Sequence, residues 1–349
     1  MVNGLEKHDP IIDAFLFNGE QNLLKLRIKY LENFVDKFVI GQSKLTFSNK
    51  PKEIIKIDLK ALDLDSLDKK IEFVTLESVK SEDFWEIERS QRASLLKHVK
   101  QNYPNHSVLY CDVDEIPSID QIAEFLNARV NIYSVPMKMT YLFANTVINN
   151  RVGFWKLPKA IKAEILQEKN LDLGRIRELE CESLLSSSIG CHFSYFLPSE
   201  EVIRKKFVSF SHNEFDFENS DNAQLIDIAK KYAISPLGDF DHNHFGLLKI
   251  EKAARTNSVQ RFVAGYYPLS FKQSKARIYP LRLYHSFQIS QYQKSRGHWI
   301  LKNEIEIKRL SAFIQHLLSL LIAKIERRTK SLLRGCVTTV NRHSIRNRI

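Results

Sequence analysis

The chain has few cysteines, no long apolar run and no repeated or low-complexity segment. Its four cysteines, at 111, 181, 191 and 336, show neither dense spacing nor a CxxC pair. A disulfide framework or a structural zinc site is therefore not expected, and a reducing compartment fits. No stretch reaches the roughly 18 uninterrupted apolar residues that a membrane-spanning helix needs. The nearest approach, "AFIQHLLSLLIA", is broken by Gln315, His316 and Ser319. The opening "MVNGLEKHDPIIDAFLF" has no continuous apolar core behind a basic start, so neither a secretory signal nor an N-terminal anchor is expected and a cytoplasmic location is. Zinc-finger spacing and an aromatic-rich RNA motif are missing too.

What is present suits a folded chain. The 349 residues, 44% of them hydrophobic, suffice for one large domain or two smaller ones with a substantial core. The formal charge of +11 is uneven, because residues 301–349 hold 11 Lys or Arg against 3 Asp or Glu. That tail is suited to nucleic acid, an anionic membrane surface or an acidic partner, and composition does not choose among them.

The segment "PIIDAFLFNGEQNLLKLRIKYLENFVDKFVIGQS" reads as strand, helix, strand, with Leu23, Leu24, Leu26, Ile28 and Leu31 along the helix. This is a βαβ unit and predicts an α/β fold with a mainly parallel central sheet. "KIEFVTL" at 70–76 gives a further strand, residues 84–101 a helix, and "HSVLYCDVDE" the next strand. "NIYSVPMKMTYLF" at 131–143 alternates as one more, antiparallel strand. Residues 151–250 are rich in His, Phe, Asn and Asp and read as site-building loops. From 303 to about 334, Leu310, Phe313, Ile314, Leu317, Leu321 and Ile325 recur at spacings of three and four among Arg309, Lys324, Arg328 and Lys330, which predicts a basic amphipathic helix. Residues 1–300 are assigned to the catalytic domain and 301–349 to a basic helical extension.

The chemistry first surfaces in "VLYCDVDEIPSID". Asp112 and Asp114 stand at the end of a buried strand, where open α/β sheets bind ligands. In an extended chain, side chains i and i+2 share a face, so both carboxylates are expected to meet one hard cation, Mg²⁺ or Mn²⁺. Such an ion neutralises a phosphate leaving group. The alternative is a solvated acidic turn capping the helix that begins near Ser118. Haloacid-dehalogenase-like phosphatases also use DxD at a strand end, with the first Asp as nucleophile. They usually carry Thr or Val where this chain has Ile116, and Asn243 of "GDFDHN" stands where their later acidic motif has a second metal-binding Asp.

Five segments in order resemble glycosyltransferase family 17, the family of the β-1,4-mannosyl-glycoprotein β-1,4-N-acetylglucosaminyltransferase. They are "IIDAFLFNGEQNLLKLRIKYLENFVDKFVIGQSKLTFSNKPK" (11–52), "FWEIERSQRASLLKHV" (84–99), "LYCDVDEIPS" (109–118), "GCHFSYF" (190–196) and "KFVSFSHNEF" (206–215). The resemblance implies a GT-A-like nucleotide-sugar-binding fold, a UDP-GlcNAc-type donor as co-substrate, a divalent cation and inversion at the anomeric carbon. It also implies a glycan or lipid-linked glycan as acceptor. Asn18 and Glu20 match the family's Asn-Glu after the first strand with one inserted residue, Arg27 its first-helix Arg, and Gln91 with Arg92 the Gln-Arg before the metal strand. Gln42 departs from an acidic position at the second strand end, and Cys191 from the Trp of "GWHFS", which puts acceptor stacking in question.

The resemblance turns the carboxylates into a donor site. Asp114 is assigned to direct metal contact, and Asp112 to the metal through water or to the ribose. Glu115 binds the donor sugar or caps the next helix. Arg92 binds phosphate or pairs with Glu88, one helical turn earlier. His192 and His212 are third metal ligands or phosphate donors, or else structural histidines. The acceptor hydroxyl's proton needs a general base, for which Glu214 is placed ahead of Asp241. The basic C-terminal helix is either an anchor on an anionic membrane surface, making the enzyme peripheral, or a helix packed on the catalytic domain. The rivals to transfer are the phosphatase and a basic nucleic-acid-binding protein.

Overall fold

The computed structural model describes residues 10–129, 131–148, 154–184, 188–196, 229–231, 233–235, 248–251 and 256–267. The expected helix from 303 to about 334 lies outside the described residues, as do His212, Glu214 and Asp241.

The expected order at the start of the chain is present: β1 (Ile11–Leu16), α1 (Gln21–Leu31), β2 (Lys37–Ser43), β3 (Ile71–Leu76), α2 (Phe84–Asn102) and β4 (Ser107–Asp112). β1 lies parallel to β2 and β4, and β2 parallel to β3. Beyond β4 the same sheet continues with β9 (Lys159–Ile161) and β6 (Ile132–Ser134), both paired antiparallel, in the order β3-β2-β1-β4-β9-β6. The sheet is thus parallel in its first four strands and antiparallel at the far edge.

Both faces of β1, β2 and β4 are buried, which is why they read as continuous apolar runs rather than alternating ones. Ile11 and Phe15 of β1, with Leu109 and Cys111 of β4, join the core formed with α1. Ile12, Ala14 and Leu16, with Val108 and Tyr110, join the core beneath α2. The period of two decides where the polar residues go. Asp13 falls on the α1 face, and Asp112 on the α2 face.

A second sheet runs in the order β11-β8-β7-β10-β5, built from β11 (Leu248–Ile250), β8 (Thr146–Ile148), β7 (Met137–Tyr141), β10 (Gly190–Ser194) and β5 (Glu115–Ile116). β5 is antiparallel to β10, and β10 parallel to β7. The single strand expected over 131–143 is therefore two strands in two sheets, β6 and β7, separated by Val135 and Pro136. Proline has no N–H to continue a ladder, so the chain changes sheets there.

The helix expected near Ser118 is α3 (Ile119–Asn127), opened by a capping box. The Gln121 backbone N–H donates to Ser118 Oγ at 3.2 Å and the Ser118 N–H to Gln121 Oε1 at 3.1 Å. Gln121 Oε1 also accepts the Gly190 N–H at 2.8 Å. At Gly190 a Cβ would stand 2.5 Å from the Ile116 carbonyl oxygen, so only glycine lets β10 approach β5 here. That approach brings His192 beside the end of β4. Among the described residues the remaining α-helices are α4 (Ala163–Leu166) and α5 (Ser258–Tyr266), the latter packed on α1 through Tyr30 and Phe262, ring centroids 5.0 Å apart.

Candidate active site

Val113 and Asp114 form a turn between β4 and β5, and the turn is held from beneath by Arg27. This side chain lies on the buried face of α1 with no exposure. Its Nε and Nη2 donate to Asp13 Oδ2 and Oδ1 at 2.7 and 2.6 Å. Its Nη1 donates to the carbonyl oxygens of Asp112 and Glu115 at 3.0 and 2.5 Å, one on each side of the turn. Burial works against the guanidinium, but Asp13 more than offsets it and holds Arg27 above its ordinary value. Arg27 thus fixes backbone and does not reach toward a ligand.

The turn separates the two aspartates expected to act together. Asp112 faces α2, where Arg92 Nη1 and Nη2 donate to its two carboxylate oxygens at 2.8 and 3.1 Å. Arg92 also donates to Glu88 Oε1 at 2.7 Å, the pairing expected as the alternative to phosphate, so its guanidinium meets two carboxylates. Arg177 adds an ion pair to Asp112 Oδ2 at 3.3 Å. Burial alone pushes the Asp112 carboxyl up, but Arg177 and Arg92 override it and hold the group down at about 2. A lowered carboxyl stabilises the fold fully above its unfolded value near 4, and the contribution fades as pH falls through about 2. In metal-free protein, Asp112→Asn is expected to flatten the dependence of stability on pH across that window, as read from urea unfolding at stepped pH.

Glu115 is fully buried and fully engaged. Arg177 Nη1 and Nη2 donate to its oxygens at 2.8 and 2.6 Å, the Asp112 N–H at 2.6 Å, and Trp155 Nε1 at 2.5 Å. It is part of the site's frame, and the cap of α3 belongs to Ser118. Asp114 instead turns toward β10, where His192 Nε2 stands 3.4 Å from its Oδ2. The pairing of β5 with β10 places His192 opposite Glu115, and the Trp155 ring lies 5.0 Å from the His192 ring, tilted by 46°.

The other expected donor-site residues lie around the same carboxyl edge. Asn18 follows β1, its N–H donating to Glu20 Oε2 at 3.0 Å and its side-chain oxygen accepting from Lys52. Gly19 between them has φ +111°, a left-handed conformation that explains the inserted residue. Gln91 is a strut: its amide donates to the Leu45 carbonyl at 3.0 Å and to Ser78 Oγ at 3.2 Å. Gln42 binds the Ile55 peptide in both directions, Nε2 to the carbonyl at 3.1 Å and Oε1 from the N–H at 2.9 Å. A carboxylate lacks the donor for the first of these, so the departure at Gln42 is a structural exchange. Cys191 lies on the opposite face of β10 from His192, buried against Asn257 Nδ2 at 3.2 Å, so that departure does not touch the site. Burial pushes the thiols of Cys111 and Cys191 up to about 12, and no disulfide joins the described cysteines.

Four site residues escaped the sequence reading: Asp13, Arg177, Trp155 and Lys159. Asp13 carried a signal, a charge inside an otherwise apolar buried run. Arg177 sits in a 3-10 turn (Ile176–Glu178) and Trp155 in irregular chain before β9, where no periodicity marks them. Lys159 is buried on β9, its ammonium donating to Ser134 Oγ at 3.0 Å and the Lys156 carbonyl at 3.1 Å.

The charges at this edge admit a cation. Asp13, Glu88, Asp112, Asp114 and Glu115 outnumber Arg27, Arg92, Arg177 and Lys159, and burial pushes Lys159 below its ordinary value. Among the described residues no three His, Cys, Asp or Glu side chains converge as a complete metal cage. Magnesium-type sites, however, commonly use one or two carboxylates and take further oxygens from substrate phosphate and water. His192 Nδ1 is buried without a hydrogen-bond partner among the described residues. Asp114 Oδ2 and His192 Nε2 stand 3.4 Å apart at this edge.

A family model described as glycosyltransferase family 17 matches residues 3–227. No curated protein matches the chain by sequence. Among solved structures it is similar to a 4-diphosphocytidyl-2C-methyl-D-erythritol synthase at 13% identity, covering 57% of this chain and 99% of that one with a TM-score of 0.30. It is also similar to the inositol-1-phosphate CTP transferase from T. maritima at 10% identity, covering 55% and 88% with a TM-score of 0.29.

Proposed function

The chain belongs to glycosyltransferase family 17, and on that premise we propose that it transfers a sugar, N-acetylglucosamine from UDP-GlcNAc, to a glycan hydroxyl with inversion and with the help of Mn²⁺ or Mg²⁺. The observation that carries the reading is the division of labour at the end of β4. Asp112 and Glu115 face arginines, while Asp114 turns to the other side and stands 3.4 Å from His192, which supports these two as the donor pair for the ion.

In this reading the nucleotide lies in the crevice between the carboxyl ends of β1 and β4, where the strand order reverses. Asn18, Glu20 and Lys52 line its β1 side. When bound, the cation supplies charge neutralisation of the departing diphosphate. The chain's own task is positioning: Arg27 and Arg177 lock the turn, so that the Asp114 carboxylate is held in place before substrate arrives. Glu214 is the proposed base ahead of Asp241, and the family match, ending at residue 227, includes Glu214 alone. The amphipathic helix near 303–334 is the proposed contact with an anionic membrane and a lipid-linked acceptor. Among the described residues no helix is long and apolar enough to cross a membrane.

The phosphatase alternative needs Asp112 as nucleophile, yet guanidinium donors hold both of its oxygens. The nucleic-acid alternative rests on the tail, outside the described residues.

A thermal-shift screen of UDP, GDP and CDP sugars with and without Mn²⁺ tests the reading. A UDP-sugar at 100 times its Kd is expected to stabilise the fold by about 2.7 kcal/mol, and only with the ion present. No shift and no slow donor hydrolysis with either Mn²⁺ or Mg²⁺ would overturn it.

A further inference from the structure

Trp155 is placed as a binding group rather than as core filling. Its backbone pairs with Met137 of β7, N–H to carbonyl at 3.0 Å and the return bond at 2.8 Å, which settles the face its side chain takes. The indole is then held at two points, by the 2.5 Å bond from Nε1 to Glu115 Oε1 and by the ring contact with His192. A half-buried tryptophan fixed in this way presents a rigid apolar surface at little cost in side-chain entropy on binding.

Its surroundings face outward. Phe154 and Leu157 beside it in the chain keep 46% and 39% of their surface exposed, so an apolar lip flanks the indole that meets His192. The lip lies on the β10 flank of β4, whereas the crevice of the topological switch lies on the β1 flank. A nucleotide in that crevice leaves the Trp155 side open to a second, larger substrate.

Resting on the glycosyltransferase reading, we propose that Trp155 is the platform for the acceptor glycan, stacking the apolar C–H face of a pyranose ring beside the Asp114–His192 pair. It would serve the stacking role put in question by Cys191, from a different strand. Lone aromatic residues at a rim are often incidental, but this one is hydrogen-bonded into the carboxylate frame of the site.

Saturation-transfer NMR tests this with methyl β-N-acetylglucosaminide and methyl α-mannoside, in the presence of UDP and Mn²⁺. Wild type and Trp155→Phe are expected to transfer saturation to the ring C–H protons of at least one glycoside. Trp155→Leu, which keeps apolar volume but has no ring face, is expected to lose that signal. Both variants lack the indole N–H that Glu115 accepts, so the melting-temperature shift produced by UDP and Mn²⁺ is compared between them and should be equal. If wild type shows the nucleotide shift but no glycoside signal, or if Trp155→Leu keeps the signal, the platform is wrong. It is also wrong if Trp155→Leu loses a nucleotide shift that Trp155→Phe keeps, because the ring would then serve the donor side. Failure of the nucleotide shift in wild type sinks the glycosyltransferase reading instead.

Discussion

Arg27→Ala is expected to cost on the order of 3–5 kcal/mol, the range for breaking a buried ion pair by removing one partner. The substitution leaves the Asp13 carboxylate in a site with no exposure and takes the donor from two buried carbonyls at once. A loss of that size is a large share of a typical domain's stability, so urea unfolding should show a strongly lowered midpoint. The double variant Arg27→Met with Asp13→Leu separates the two roles. Replacing a buried pair by apolar side chains is often neutral or stabilising, so much of the stability should return. The carbonyls of Asp112 and Glu115 would still lack their donor, and sugar transfer should stay impaired. Recovery of full transfer together with stability would show that Arg27 does not position the turn. A single Arg27→Ala loss within about 1 kcal/mol, the scale of one ordinary hydrogen bond, would refute the stability argument itself.

What could be read from the sequence followed from local pattern, and what could not followed from distance along the chain. β1, α1 and β2 were legible because a parallel strand buried on both faces is a continuous apolar run, and the helix between them shows its stripe. α3 was legible because Ser118 and Gln121 lie three residues apart and cap locally. Asp112 and Asp114 were found, but their shared face was not real: the i, i+2 rule holds along a strand, and Val113 and Asp114 form a turn. The partners that decide each carboxylate's role come from afar. Arg92 lies on α2, Arg177 in a loop and His192 on β10, and only the fold brings them to one sheet edge. Of these, family resemblance pointed to Arg92 and His192. Arg177 gave no signal, although it binds Glu115 with two hydrogen bonds. Pro136 was visible all along as the break that divides 131–143 between two sheets.

Asp114→Asn is expected to reduce sugar transfer by roughly 10²–10³-fold or more, the scale seen when one preorganised electrostatic group is removed from a reacting centre. The change keeps volume and hydrogen-bonding capacity, and the Asp114 carbonyl still accepts the Phe193 N–H at 2.7 Å. The ligand-free melting temperature should therefore move little. What disappears is the negative charge that faces His192 and, in the proposed reading, the ion. The informative measurement is the melting-temperature shift produced by a UDP-sugar with and without Mn²⁺. Wild type should show a shift that depends on the ion, and the variant a weak shift that does not. Asp112→Asn provides the contrast, because its carboxylate is occupied by Arg92 and Arg177. That variant should lose stability above pH 4, where wild-type Asp112 is ionised, while retaining an ion-dependent nucleotide shift. If Asp114→Asn keeps ion-dependent binding and Asp112→Asn loses it, the assignment is reversed: the arginines would have to yield Asp112 to the cation when donor binds, and Asp114 would serve only to orient His192.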